Sequence, residues 1–211
     1  AGRGARRRGR AEPAAAPGFG DRGYWEDRYT PGARLANEYE WYCGYDELEP
    51  FLLEYLLPLV ARVEAAGRRP SLLVAGCGNS RLSCGLYDDF LGAGGEPRLD
   101  VCNVDYAKAA IARAEESAAD RQMRHVVADL RALPRKHFTD ACFDASVDKG
   151  ALDALFYAGE GDDEACVAEL WRVLRPGGLA LVISGGAYAP AVRAAFRGWQ
   201  ALLQGVPLVA E

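Results

Sequence analysis

A chain of 211 residues is long enough for one well-buried domain and short for two. Half of the residues are hydrophobic, yet none of the apolar runs approaches the ~20 residues that cross a bilayer, so a soluble protein with no membrane partner is expected. A formal charge of −5 argues against a general nucleic-acid binder, because such proteins carry a basic face that neutralises phosphates.

Residues 1–20 combine Arg3, Arg6, Arg7, Arg8 and Arg10 with Ala, Gly and Pro and almost no large apolar side chain. They read as a disordered basic tail ahead of one domain over residues 21–211. Their Arg- and Ala-rich, acid-poor composition also resembles an organelle transit peptide. A cytoplasmic protein is therefore the first expectation, and a mitochondrial one the alternative if the head belongs to such a peptide.

The segments Gly23 to Tyr29 and Glu38 to Tyr45 are dense in aromatics outside any regular period. They read as a cover, over the core of the domain, over a ligand, or over both. From Asp46 a long helix begins: Asp46 and Glu49 form a capping-box-like pair, Pro50 suits the first turn, and Leu48, Phe51, Leu52, Tyr55, Leu56, Leu59, Val60 and Val63 recur at i+3/i+4. Pro58 removes a backbone donor and should kink or split that helix. Gly67 ends it.

Leu72 to Ala75 is a short apolar run closed by Gly76-Cys77-Gly78, the pattern of a buried parallel strand stopping at a tight turn. A helix follows, with Leu82, Leu86 and Phe90 on one face. A dinucleotide fingerprint would place a third glycine where this chain has Arg81. Leu99 to Asp105 reads as a second strand, Ala107 to Ala119 as a helix, His125 to Asp129 as a third strand and Cys142 to Asp148 as a fourth. Asp162 to Leu174 is a helix, and Arg175-Pro176-Gly177-Gly178 leads into a fifth strand over Leu179 to Ser184.

Strands alternating with helices predict an α/β fold, a doubly wound and mostly parallel sheet. Right-handed crossovers put the carboxyl ends of its strands on one edge, where ligands of open sheets bind. Gly76, Asp105, Asp129 and Asp148 all fall on that edge. Asp105 is placed to accept hydrogen bonds from both hydroxyls of an adenosine ribose, Tyr106 to lie along the adenine, and Asp129 with Leu130 to receive and wall it. The cysteines Cys43, Cys77, Cys84, Cys102, Cys142 and Cys166 form no Cys-x-x-Cys pair and no zinc-spaced cluster, so they read as reduced, small buried hydrophobes and no metal is expected. His125 and His137 stand isolated and take no catalytic role.

Gly76-Cys77-Gly78-Asn79-Ser80 resembles the cofactor turn of S-adenosylmethionine-dependent methyltransferases. With Tyr24-Trp25-x-x-Arg28-Tyr29, Glu40-Trp41-Tyr42, Gly44-Tyr45-Asp46-Glu47-Leu48, Asn103-Val104-Asp105-Tyr106, Asp148-Lys149-Gly150-Ala151-Leu152-Asp153-Ala154-Leu155 and Arg172-Val173-Leu174-Arg175-Pro176-Gly177-Gly178, the chain is similar to the seven-β-strand protein-lysine methyltransferases. Among these it most resembles those acting on elongation factor 1-alpha and citrate synthase. The resemblance implies a Rossmann-like methyltransferase fold, S-adenosylmethionine as cofactor, and a protein substrate presenting a lysine. It also implies that Trp25, Tyr29, Trp41, Gly76, Gly78, Asn79, Asp105, Tyr106, Asp129, Leu130 and Asp148 bind the cofactor, and that Asp148, Lys149 and Asp153 belong to the catalytic segment. Two departures stand out: Val74 occupies a position often acidic in methyltransferases, and only Arg197 to Glu211 remain for the hairpin that closes the family's sheet. A sheet lacking its last strand, and a substrate groove incomplete for that reason, is one expectation. Two other functions stay open on the residues alone, a small-molecule methyltransferase and a catalytically weak cofactor-binding interaction module.

Overall fold

The computed structural model of the chain describes residues 18–33, 39–159, 161–185 and 196. Five strands, β1 (Ser71–Ala75), β2 (Asp100–Asp105), β3 (Arg124–Val127), β4 (Phe143–Lys149) and β5 (Leu174–Ile183), form one sheet in the order β3-β2-β1-β4-β5. Every pairing is parallel. The connections after β1, β2 and β4 carry helices, α3 (Leu82–Asp89), α4 (Lys108–Ala118), and α5 (Ala151–Leu155) with α6 (Asp162–Val173), while β3 and β4 are joined by turns; α1 (Arg22–Tyr29) and α2 (Tyr45–Ala65) precede the sheet.

Strand side chains alternate between faces, and the core divides accordingly. Leu72 and Val74 pack with Leu48, Leu52, Leu56, Val60, Val63, Leu82, Leu86 and Ile111, so α2, α3 and α4 cover one face. Leu73 and Ala75 pack with Leu152, Leu155, Val167 and Leu170, which places α5 and α6 on the other. The chain progresses outward from β1 to β3, then returns to the far side of β1 with β4. That reversal leaves a crevice beyond the carboxyl ends of β1 and β4, the place where open α/β sheets take ligands.

Several expectations change in detail. Helix α2 begins after Gly44 with no side-chain cap, so Asp46 and Glu49 do not form a capping box, and it continues unbroken through Pro58. Its apolar face, with Leu56, Leu59 and Val60 all buried, holds the helix together across the missing donor. Arg175-Pro176-Gly177-Gly178 is part of β5 and makes an irregularity in its pairing with β4. Strand β3 stops at Val127, two residues before Asp129. The residues 22–29, whose aromatics follow no sheet or core period, are helical, capped at the start by Asp21 Oδ1 accepting from the Gly23 amide at 2.7 Å. The segment after β4 contains the short helix α5, with Asp153 in its first turn.

All six cysteines are free. No helix among the described residues is long and apolar enough to cross a membrane. The expected basic tail, apart from Gly18, Phe19 and Gly20, and the question of a last strand over Arg197 to Glu211 lie outside the described residues.

Candidate functional site

The turn after β1 sets the geometry. Gly76 and Gly78 have φ +62° and +54°, which a side chain opposes. A Cβ at Gly76 would stand 2.2 Å from the Ala151 Cβ, and one at Gly78 2.7 Å from the Tyr29 hydroxyl. Both glycines are thus required by the chain's own packing, the first by α5 beneath the turn and the second by α1 above it. The Cys77 amide donates to the Val104 carbonyl at 3.0 Å, tying the turn to β2.

At the end of β2, Asp105 is 7% exposed. Its Oδ2 accepts from the Gly78 amide at 3.0 Å and its Oδ1 from the Ala107 amide at 2.9 Å. Two fixed backbone donors hold the carboxylate, and each oxygen keeps a further lone pair for another donor. Burial pushes its pKa up to about 6, against the pull of the amides.

Around this carboxylate a cleft of ≈ 810 Å³, partly open to solvent, is lined by Trp25, Tyr29, Trp41, Gly76, Gly78, Asn79, Asp105, Tyr106, Asp129, Leu130 and Lys149. Asp129 is gripped by Arg131, whose Nη2 donates to Oδ2 at 2.6 Å and whose Nε donates to Oδ1 at 2.9 Å. These bonds hold the Asp129 carboxyl below its usual range, so it faces the cleft as an anion with part of its capacity already used. Tyr106 is half-buried, and burial beside Asp105 pushes its hydroxyl up to about 12.

Asp148 and Asp153 do not line the cleft; they lie beneath it. Asp148, 2% exposed, accepts from the Leu152 amide at 3.0 Å through Oδ2, while its buried Oδ1 has no partner. Burial, then the neighbouring Asp153, pushes its pKa up to about 8. Asp153 accepts from the Ser184 hydroxyl at 2.6 Å, the Gly185 amide at 3.0 Å and the Tyr42 hydroxyl.

Lys149, whose side chain is 4% exposed, is fully engaged. It pairs with Glu40 and donates to the Trp41 carbonyl at 3.2 Å and the Cys43 carbonyl at 3.1 Å. Between those carbonyls Tyr42 has φ +69°, and the Cys43 amide donates to the Trp41 carbonyl at 2.8 Å. This is a γ-turn on the strained side of backbone space, clamped by one buried ammonium. Glu40 also accepts from the Ser80 hydroxyl at 2.7 Å and the Arg81 amide at 2.9 Å. Lys149 and Glu40 therefore fasten the aromatic segment to both β4 and the glycine turn.

Two residues of this constellation were given no partner by the sequence, although Glu40 opens the Glu40-Trp41-Tyr42 motif. Glu26 reaches across to α4, accepting from the Lys108 amide at 2.9 Å and the Ala109 amide at 3.0 Å. Partial burial would raise its pKa, and those amides at the helix N-terminus overcome it and lower it. Glu40 acts only through partners distant in sequence, Ser80 and Lys149. An acidic residue in a polar segment does not announce either bond.

A model of the methyltransferase domain family matches residues 73–182, from β1 to β5. The chain belongs to that family. Within the family it is similar to eEF1A lysine and N-terminal methyltransferase of Bos taurus, 34% identical over 176 residues that make up 82% of this chain and 22% of that one. It is also similar to EEF1A lysine methyltransferase 4 of Bos taurus, 34% identical over 173 residues, 76% of this chain and 59% of that one. The chain thus spans about a fifth of the first relative and over half of the second. Among solved structures, an S-adenosylmethionine-dependent methyltransferase from Clostridium acetobutylicum shares the fold with a TM-score of 0.52 at 16% identity, over 69% of this chain and 53% of that one. The parallel α/β sheet expected from alternating strands and helices, and the methyltransferase fold that the family resemblance implied, are the fold observed.

Proposed function

We propose that this methyltransferase domain binds S-adenosylmethionine in the cleft beside Asp105 and transfers its methyl group to a lysine side chain of a protein substrate. The observation that carries the reading is the Asp105 carboxylate, fixed by two backbone amides next to the glycine turn, a geometry suited to a vicinal diol such as the ribose of an adenosyl group. In this reading Tyr106, Asp129 and Leu130 take the adenine, and Gly76, Gly78 and Asn79 lie along the amino-acid portion. The lysine specificity rests on the relatives, whose names include eEF1A lysine methyltransferases.

The cofactor supplies an activated methyl on a sulfonium, and displacement at that carbon needs no covalent bond to the protein. The chain's task is alignment and exclusion of water, and alignment alone can lower a barrier by several kcal/mol. Trp25, Tyr29 and Trp41 close the cleft. A lysine nucleophile must be neutral, and burial under these rings favours the neutral amine. Asp148 and Lys149 act as positioning residues: Asp148 receives the Leu152 amide of α5, and Lys149 holds the Trp41 to Cys43 turn. Asp153, beneath the same segment, fixes Tyr42 and Ser184.

Purified elongation factor 1A incubated with the protein and methyl-labelled S-adenosylmethionine tests the reading. Label on a lysine of the factor, absent with Asp105→Ala, is the expected result. Label carried only by metabolites would overturn the protein-substrate assignment, and none in either fraction would overturn methyl transfer to these acceptor classes.

A further inference from the structure

The aromatic cover of the cleft contains a cation. The Arg28 guanidinium carbon lies 4.6 Å from the ring centroid of Tyr39, 5.2 Å from that of Trp41 and 5.7 Å from that of Trp25. All three rings line the cleft. Aromatic faces of the kind that hold a sulfonium are therefore already turned to a protein cation, and a second positive charge there would meet repulsion.

The guanidinium itself is incompletely bonded. Its Nη1 donates to the Tyr24 hydroxyl at 3.2 Å, while its Nε is buried and has no hydrogen-bond partner. Nε and Nη2 form one edge of the fork, the edge that grips a carboxylate side-on with two parallel bonds. Glu26 and Glu40, which flank Arg28 in the two aromatic segments, are engaged elsewhere, at the α4 amides and at Lys149. A half-buried cation whose Nε has no partner, packed behind three rings that line a ligand cleft, calls for an anion from the ligand.

We propose that Arg28 receives the carboxylate of the methionine portion of S-adenosylmethionine, held for that contact by its Tyr39, Trp41 and Trp25 box. The inference rests on the cofactor reading above and adds an anchor at the opposite end of the ligand from Asp105. Ribose and carboxylate pinned at two separated points would leave the sulfonium between them with little freedom to turn. Arg28 is then a residue that aims the methyl group.

Titration calorimetry with S-adenosylmethionine and with its decarboxylated form tests this, because the two ligands differ only in the carboxylate. Wild-type protein should prefer the carboxylated ligand, and Arg28→Gln should weaken it by about 10- to 100-fold, the range for losing hydrogen bonds to a charged group. The same substitution should leave the decarboxylated ligand's affinity within about twofold, which mere disruption of the aromatic box would not. Arg28→Lys, which keeps the charge inside the rings and loses the fork, should fall between, and it replaces the Gln variant if that one does not fold. Equal weakening of both ligands, or of neither, overturns the role of Arg28 and leaves the cofactor site standing. Failure of the wild-type protein to bind either ligand overturns the cofactor reading and this inference together.

Discussion

Asp105 carries the account at the scale of single residues, and its ionisation makes a prediction. Its pKa in the folded chain is about 6, and hydrogen bonds from ribose hydroxyls favour the charged form, so affinity for S-adenosylmethionine should fall about tenfold per pH unit below 6. Calorimetry between pH 5 and 8 checks this; a flat profile would contradict it. Asp148 bears on stability. Its folded pKa of about 8 lies above the ordinary 3.8, so the stability it contributes is fully present below about 4 and is lost as pH rises through about 8. The thermal midpoint of the ligand-free protein should therefore drop between pH 5 and 8, and the drop should shrink in Asp148→Asn. Overlapping pH profiles for the two proteins would mean that the carboxyl titrates in the usual range. Both aspartates were legible from the sequence because apolar runs lead into them, although β2 ends on Asp105 while β4 continues one residue past Asp148 to Lys149. Their different situations, one lining the cleft and the other sealed under it, are not encoded in strand patterning.

At the scale of elements, the aromatic cover is fixed by electrostatics across long sequence distance. Lys149 on β4 and Glu40 form the link, and breaking a buried pair by removing one partner costs about 3 kcal/mol or more. Lys149→Met should destabilise the protein by that order in urea titration and loosen proteolytic protection around Tyr42; unchanged protection would show that the γ-turn holds without the ammonium. Glu26→Ala should cost about 1 kcal/mol by stripping the cap from α4, readable in the same titration. The core elements were legible because β1, β2, β4 and the helices between them repeat apolar residues at the sheet and helix periods. Helix α1 was not, since its buried side chains, Trp25 and Tyr29, meet aromatics and a ligand cleft where no apolar stripe is needed. Pro58 misled for the opposite reason: a strong local signal is overridden when Leu56, Leu59 and Val60 bury the same turn.

Over the whole molecule, a parallel sheet that reverses direction at β1 gathers one turn and one carboxylate from distant parts of the chain into a single crevice. Parallel strands joined by right-handed crossovers end on one edge, so the edge that carries the cleft was foreseeable from sequence. The lid was foreseeable only as a cluster of rings, because the ion pair and the arginine that arrange those rings pair residues from separate segments. Crystals of the protein grown with S-adenosylhomocysteine test the central claim most directly. The account predicts both ribose hydroxyls within hydrogen-bond distance of the two Asp105 oxygens, with the ligand seated against the Gly76 to Gly78 turn. A ligand bound elsewhere, or a ribose turned away from Asp105, would contradict it.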